Sequence, residues 1–213
     1  MIDPARIEAL LFDFGGVLVE IDFGRVCARW AELAGRPVEH VHARFTHGEA
    51  YERHERGEMD IAAYCETLRR DLGLELADEQ LLDGWQRVFV GEIGATVDLV
   101  KRLRGRMPLY VFTNTNVAHY THLRRRFAGA LAPFDRIFAS HEMRSRKPQA
   151  AAFRQIERET GVALERMLFF DDTAANVEAA RALGMPAVLV RGPADVRDAL
   201  HPWIDVAPGR TGT

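Results

Sequence analysis

Five short apolar runs, at residues 7–12, 108–113, 136–140, 167–170 and 186–190, most constrain what this chain can fold into. Each is short and nearly continuous in its apolar character, which predicts strands buried on both faces. Around the later runs the spacing changes to that of helices. Val97, Val100 and Leu103 precede the second run. Phe153 and Ile156 lie on a stretch that stops at Gly161 before the fourth, and Val177, Ala180 and Leu183 on one that stops at Gly184 before the fifth. Alternating strands and helices specify a parallel sheet covered on both faces, so an α/β, Rossmann-like core is expected.

After the first run the pattern is helical alone. Val26, Trp30 and Leu33 share one face and stop at Gly35-Arg36-Pro37; Val38, Val41 and Phe45 follow with the same spacing. Asp60 is placed to cap a helix carrying Ile61, Tyr64, Leu68 and Leu72, and Asp78 to cap one carrying Leu81, Trp85 and Phe89. No strand-like run interrupts this stretch, which predicts a bundle of about four helices. The first run must still join the sheet, so the bundle is an insertion after strand one. The expected division is a core of residues 1–21 and 96–213 with a helical domain of residues 22–95. Residues 208–213 are expected to fray.

Composition narrows the partners. A net charge of -3 in 213 residues leaves no basic footprint for nucleic acid. No run of eighteen apolar residues exists to span a membrane, and residues 1–6 lack a signal-like apolar core, so a cytoplasmic protein is expected. Cys27 and Cys65 fall in helical patterns with apolar company and read as buried thiols. The eight histidines are scattered without metal-ligand spacing, and no zinc role is assigned to them. Monomer and homodimer both stay open.

Four strings at or just after the apolar runs carry the chemistry: Leu11-Phe12-Asp13-Phe14-Gly15-Gly16-Val17, Thr113-Asn114-Thr115, Arg146-Lys147-Pro148 and Phe169-Phe170-Asp171-Asp172. In an open parallel sheet, ligands bind beyond the carboxyl ends of the strands, where these strings converge. Asp13 reads as a nucleophile that takes a phosphoryl group as an aspartyl-phosphate; its blander reading is an acid that caps the following turn. Asp172, with Asp171 beside it, suits Mg²⁺, which prefers oxygen ligands. Capping of the next helix by Asp172 is the competing reading. Thr113 and Asn114 can bind phosphate oxygens through the hydroxyl and backbone N–H groups, and Lys147 supplies positive charge to the phosphoryl oxygens and to Asp13.

These strings, in this order, resemble the four motifs of the haloacid dehalogenase (HAD) superfamily, with the insertion in the place of its helical type-1 cap. The resemblance spans almost the whole chain. Within the superfamily it is similar to small bacterial sugar-phosphate phosphatases, the alpha-D-glucose-1-phosphate phosphatase group above all. Supporting strings are residues 16–23, Gly48-Glu49-Ala50, residues 54–58, Gly84-Trp85-Gln86 and Asn114-Thr115-Asn116. The resemblance implies Mg²⁺ held by Asp13, the backbone carbonyl of Gly15 and Asp172, with Asp171 behind them or as an alternate ligand. It also implies a phosphate cradle of Thr113, Asn114 and Lys147, and a small phosphorylated metabolite such as glucose 1-phosphate as substrate.

The usual pattern of such phosphatases has an aspartate where this chain has Gly15, acting as general acid and then base. Glu20 and Asp22 lie just beyond the turn and are candidates for supplying the missing base. His47, Glu49, Arg53 and Trp85 are candidates for contacting the sugar, with core packing the blander reading of Trp85. A 2-haloacid dehalogenase would share the aspartate nucleophile and the missing acid, but it needs no metal, so the Asp171-Asp172 pair weighs against it. A non-catalytic member that binds a phosphometabolite or a partner protein has Gly15 as its only support.

Overall fold

Ala9–Phe12 forms β1 and is buried along its whole length. The structure, a computed structural model, describes residues 3–204, so the tail expected to fray lies outside the described residues. After a turn at Gly15 and Gly16, Val19–Ile21 forms β2. The helices α1 (Phe23–Ala34), α2 (Val38–His42), α3 (Glu49–Glu55), α4 (Ile61–Leu72) and α5 (Asp78–Trp85) follow. Next come β3 (Phe89–Glu92), α6 (Gly94–Leu103), β4 (Leu109–Thr113), α7 (Val117–Arg126), α8 (Ala128–Leu131), β5 (Arg136–Ala139) and α9 (Ser140–Met143). The remaining elements are α10 (Ala150–Thr160), β6 (Met167–Asp171), α11 (Ala174–Ala182), β7 (Ala187–Leu189) and α12 (Pro193–Ile204).

All five predicted strands enter one parallel sheet in the order β5-β4-β1-β6-β7. The chain builds outward from β1 on one side and then crosses to the other, so β1 lies at the topological switch, where open α/β sheets bind ligands. Successive side chains of β1 feed opposite faces, as the pleat requires. Leu10 and Phe12 pack with Leu168, Phe170 and Val100, whereas Ala9 and Leu11 pack with Phe112, Phe153 and Phe169.

The helical block between β2 and β3 is held by its own caps and rings. Asp22 accepts the Gly24 N–H at 2.7 Å to start α1, which ends at Gly35 with φ 60°. Asp60 starts α4 by accepting from Ala63 at 2.8 Å. Trp30 and Trp85 stack with centroids 5.7 Å apart, and the Trp30 indole donates to the Leu81 carbonyl. Cys27 and Cys65 are buried, as read from their patterns.

Two expectations need correction. Asp78 does not cap α5: Ala77 holds that position, and Asp78 instead pairs with Arg69 at 2.6 Å, the closer charge. Phe89 does not end a helix but opens β3, which pairs antiparallel with β2, so the block does include strand structure at its ends. Four-residue spacing from Trp85 fits a helix, yet Val88-Phe89-Val90 is β-prone and meets a partner strand. Arg126 on α7 then holds the ribbon by donating to the carbonyls of Phe89 and Val90 at 3.0 and 2.9 Å. Among the described residues, no helix is long and apolar enough to cross a membrane.

Candidate active site

Asp13 follows β1 directly and stays in register with the sheet, its N–H bonding to the Phe170 carbonyl at 2.8 Å. Thr113 ends β4 and Asp171 ends β6, so three of the four strings are fixed by adjacent strand ends. Lys147 completes the group from the loop before α10. Its side chain is 1% exposed, and its ammonium reaches Asp13 Oδ1 at 2.7 Å, Asp171 Oδ2 at 2.7 Å and the Phe112 carbonyl at 2.9 Å. Those three partners account for every N–H the group has.

The loop that carries Lys147 is clamped by Asn114. Its Oδ1 accepts the Lys147 N–H at 2.9 Å and its Nδ2 donates to the Lys147 carbonyl at 3.0 Å. The side chain of Asn114 is thus committed to positioning Lys147, and its backbone N–H is what it can present to an anion. Asp171 is fully buried and accepts from Thr173 N at 2.8 Å and Asn176 Nδ2 at 3.0 Å besides Lys147. The helix start is therefore served by Asp171, with Thr173 in the capping position; Asp172 is not the cap. Asp172 turns toward Gly16 instead. A Cβ on Gly16 would stand 2.0 Å from Asp172 Oδ2, and Gly16 has φ 73°, so both space and backbone require glycine.

Asp13, Asp171 and Asp172 each offer an oxygen within 4.8 Å of the others. Burial pushes the Asp13 carboxyl well above its ordinary range; Lys147 opposes this, while Asp171 and Asp172 add to it. Asp172 is raised as well, first by loss of solvation and then by Asp171. Burial works to lower the Lys147 ammonium, but Asp13 and Asp171 outweigh it and its pKa is raised. One ammonium thus faces three carboxylates. An all-oxygen cluster with that surplus of negative charge fits a hard divalent cation such as Mg²⁺.

Asp13, Thr113, Asn114, Lys147 and Asp172 line a cavity of about 310 Å³. Phe23, His47, Tyr51 and Glu55 line it from the helical block. Of the residues considered for sugar contact, His47 does line the cavity, whereas Glu49 and Arg53 are not among its lining residues. Trp85 is 1% exposed and packed among Trp30, Tyr64 and His119, which makes it core. Glu20 and Asp22 are exposed and off the cavity wall, Asp22 being engaged as the α1 cap, which removes both as candidates for the missing acid. Gly15 faces Ile21: a Cβ there would lie 2.9 Å from Ile21 Cδ1, so an apolar side chain stands where an acid at residue 15 would begin. Sequence reasoning missed Tyr51, Glu55 and Arg146. Tyr51 and Glu55 are one helical turn apart, and only the packing reveals that this face of α3 turns inward.

A strand-end acid cluster at the switch of a parallel sheet, beneath an inserted helical block, defines an α/β protein with a cation-binding site at the strand ends. The chain belongs to the haloacid dehalogenase-like hydrolase family, whose pattern it matches over residues 7–184. It is 27% identical over 201 residues to a phosphatase of Mycobacterium tuberculosis (strain CDC 1551 / Oshkosh), covering 90% of this chain and 91% of that protein. It is 23% identical over 199 residues to the D-ribitol-5-phosphate phosphatase of Bacteroides thetaiotaomicron, covering 91% of this chain and 97% of the relative. Its fold superposes on a HAD family enzyme of Bacteroides thetaiotaomicron in complex with magnesium and inorganic phosphate. That match has a TM-score of 0.76 at 23% identity over 87% of this chain and 95% of the other.

Proposed function

We propose that this protein is a Mg²⁺-dependent phosphomonoesterase that acts on a small phosphorylated metabolite through an aspartyl-phosphate on Asp13. The observation that carries this reading is the buried Lys147, held between Asp13 and Asp171 with Asp172 completing an oxygen cluster around one point. Asp13 Oδ attacks phosphorus, the bond from phosphorus to the ester oxygen breaks, and that oxygen departs as an alkoxide that takes its proton from solvent water. Water then attacks the same phosphorus and frees the Asp13 carboxylate. Lys147 keeps Asp13 in one orientation and offers positive charge to the phosphoryl oxygens, while Thr113 and the Asn114 N–H cradle them. Asp13, the Gly15 carbonyl and Asp172 would hold Mg²⁺, which would supply positive charge to offset the like charges of nucleophile and phosphate. Residues 22–95 act as a cap that limits the cavity to small esters. A metal-free dehalogenase would leave three neighbouring carboxylates without that offset.

Names of relatives support the activity, with phosphatases among them and a sugar-alcohol phosphate as one stated substrate. We favour a sugar 1-phosphate such as glucose 1-phosphate for this chain on chemical grounds. With Gly15 and Ile21 where an acid would stand, the leaving oxygen receives little proton help. An anomeric oxygen leaves more readily than an ordinary sugar alcohol, because the ring oxygen acidifies its hydroxyl. The test is phosphate release from sugar 1-phosphates, sugar 6-phosphates, ribitol 5-phosphate and nucleotides, with Mg²⁺ and with EDTA. Magnesium-dependent release that favours the 1-phosphates is expected. Full activity in EDTA contradicts the metal role, and a preference for nucleotides contradicts the sugar assignment.

A further inference from the structure

Glu55 is a carboxylate that no step above uses, and its residue is 3% exposed while lining the same cavity as Asp13. Arg146, next in the chain to Lys147, reaches across from the core with Nε 2.9 Å from Glu55 Oε2 and Nη1 2.7 Å from Glu52 Oε1. Tyr51, one helical turn before Glu55 on α3, lines the same cavity. Helix α3 is seated firmly at this point: Ser140 Oγ donates to the Glu55 carbonyl at 2.7 Å, and Arg144 donates to the Gly57 carbonyl. A charged pair this deep is costly unless its remaining hydrogen-bonding capacity is met. The Arg146–Glu55 contact is an ion pair without hydrogen-bond alignment, so Glu55 Oε2 and Arg146 Nε are buried with that capacity unmet.

The neighbouring wall is aromatic. Phe23, His47 and Tyr51 pack edge to face, with centroid separations of 4.7 Å for Phe23–His47 and 4.6 Å for His47–Tyr51. Ring faces beside a fixed carboxylate and guanidinium suit a compound with C–H faces and hydroxyl edges. We propose that Glu55 and Arg146 bind the hydroxyl groups of the leaving group, with Phe23, His47 and Tyr51 against its C–H face, so that this wall selects an uncharged polyol or sugar ester. The inference rests on the phosphatase reading and specifies which residues set its substrate class.

The test compares glucose 1-phosphate and ribitol 5-phosphate with phenyl phosphate, which has no hydroxyls, in the wild type, Glu55→Gln and Tyr51→Phe. Sites that bind a substrate hydroxyl lose discrimination sharply when the partner is altered. The ratio of kcat/KM for the better polyol ester to that for phenyl phosphate is expected to fall about 10- to 100-fold in Glu55→Gln, chiefly through KM. A smaller fall of the same kind is expected in Tyr51→Phe, which tests the site if Glu55→Gln does not fold. A ratio that stays at the wild-type value in the folded variants overturns the inference, since a purely structural Glu55 lowers both rates together. Wild-type protein that cleaves phenyl phosphate with no preference for either polyol ester also overturns it and leaves the phosphatase reading standing. Protein that releases phosphate from none of the three overturns both.

Discussion

At the scale of single residues, the two glycines after Asp13 have opposite tolerances. Gly16 can take no side chain, because Asp172 and its positive φ both forbid one. The nearest atoms to a Cβ on Gly15 belong to Ile21, which is 38% exposed and can be shortened. Gly15→Asp combined with Ile21→Ala is therefore expected to raise turnover most for esters with poor leaving groups. The ratio of kcat/KM for glucose 6-phosphate over glucose 1-phosphate should rise; a ratio that stays constant contradicts the leaving-group argument. His119 offers a second test. Its Nε2 faces the Trp85 carbonyl at 2.9 Å and its Nδ1 faces Asn116 Nδ2 at 3.3 Å, an arrangement that only the neutral ring satisfies. Burial pushes its pKa down to about 3. A lowered folded-state pKa means the unfolded chain binds the extra proton first, so stability is lost as pH falls from about 6.5 toward 3. His119→Gln should flatten the dependence of unfolding free energy on pH in that window, by up to about 1.4 kcal/mol per pH unit. An unchanged slope would mean that His119 titrates normally. Asp13, Lys147 and Asp172 were legible because strand-end chemistry is written in short strings. The clamping role of Asn114 was not legible, since its partner lies 33 residues away in the chain.

At the scale of elements, apolar runs and caps located the sheet well, because buried parallel strands leave continuous apolar text. The ribbon of β2 and β3 was missed for a physical reason. Its two strands are separated by the whole helical block, and each is too short to declare itself without the other. Packing between α1 and α5 was likewise invisible in the sequence, yet it makes a sharp expectation. A Cβ on Gly84 would stand 2.2 Å from Trp30 Cδ1, inside a ring that is fully buried and stacked on Trp85. The ring cannot swing aside as an exposed chain end would. Gly84→Ala is expected to destabilise the protein by about 1–3 kcal/mol through overpacking, despite the better helix propensity of alanine. Denaturant unfolding measures this directly. A variant as stable as the wild type would mean that α1 and α5 separate more easily than their contact implies.

For the whole molecule, the site draws three carboxylates together in a chain whose net charge is already -3. Without a cation, burial and the two neighbouring carboxylates hold the Asp13 carboxyl above its ordinary range, against the opposing pull of Lys147. Asp13→Asn removes one charge at nearly constant shape, and Lys147 keeps Asp171 and the Phe112 carbonyl as partners. In EDTA this variant is expected to melt above the wild type. With magnesium the order should narrow or reverse: a ligand that binds only the folded state stabilises by RT ln(1 + [L]/Kd), and the variant has lost a ligand atom. Turnover should vanish, since an amide forms no acyl-phosphate. Activity and stability thus exchange at one residue, as they do where a site concentrates like charge for its chemistry. Melting curves of both proteins across a magnesium titration decide the matter. If wild-type melting ignores magnesium while Asp13→Asn melts lower in EDTA, the cluster is an ordinary ion-pair network built around Lys147, and its carboxylates stabilise the fold without serving a metal.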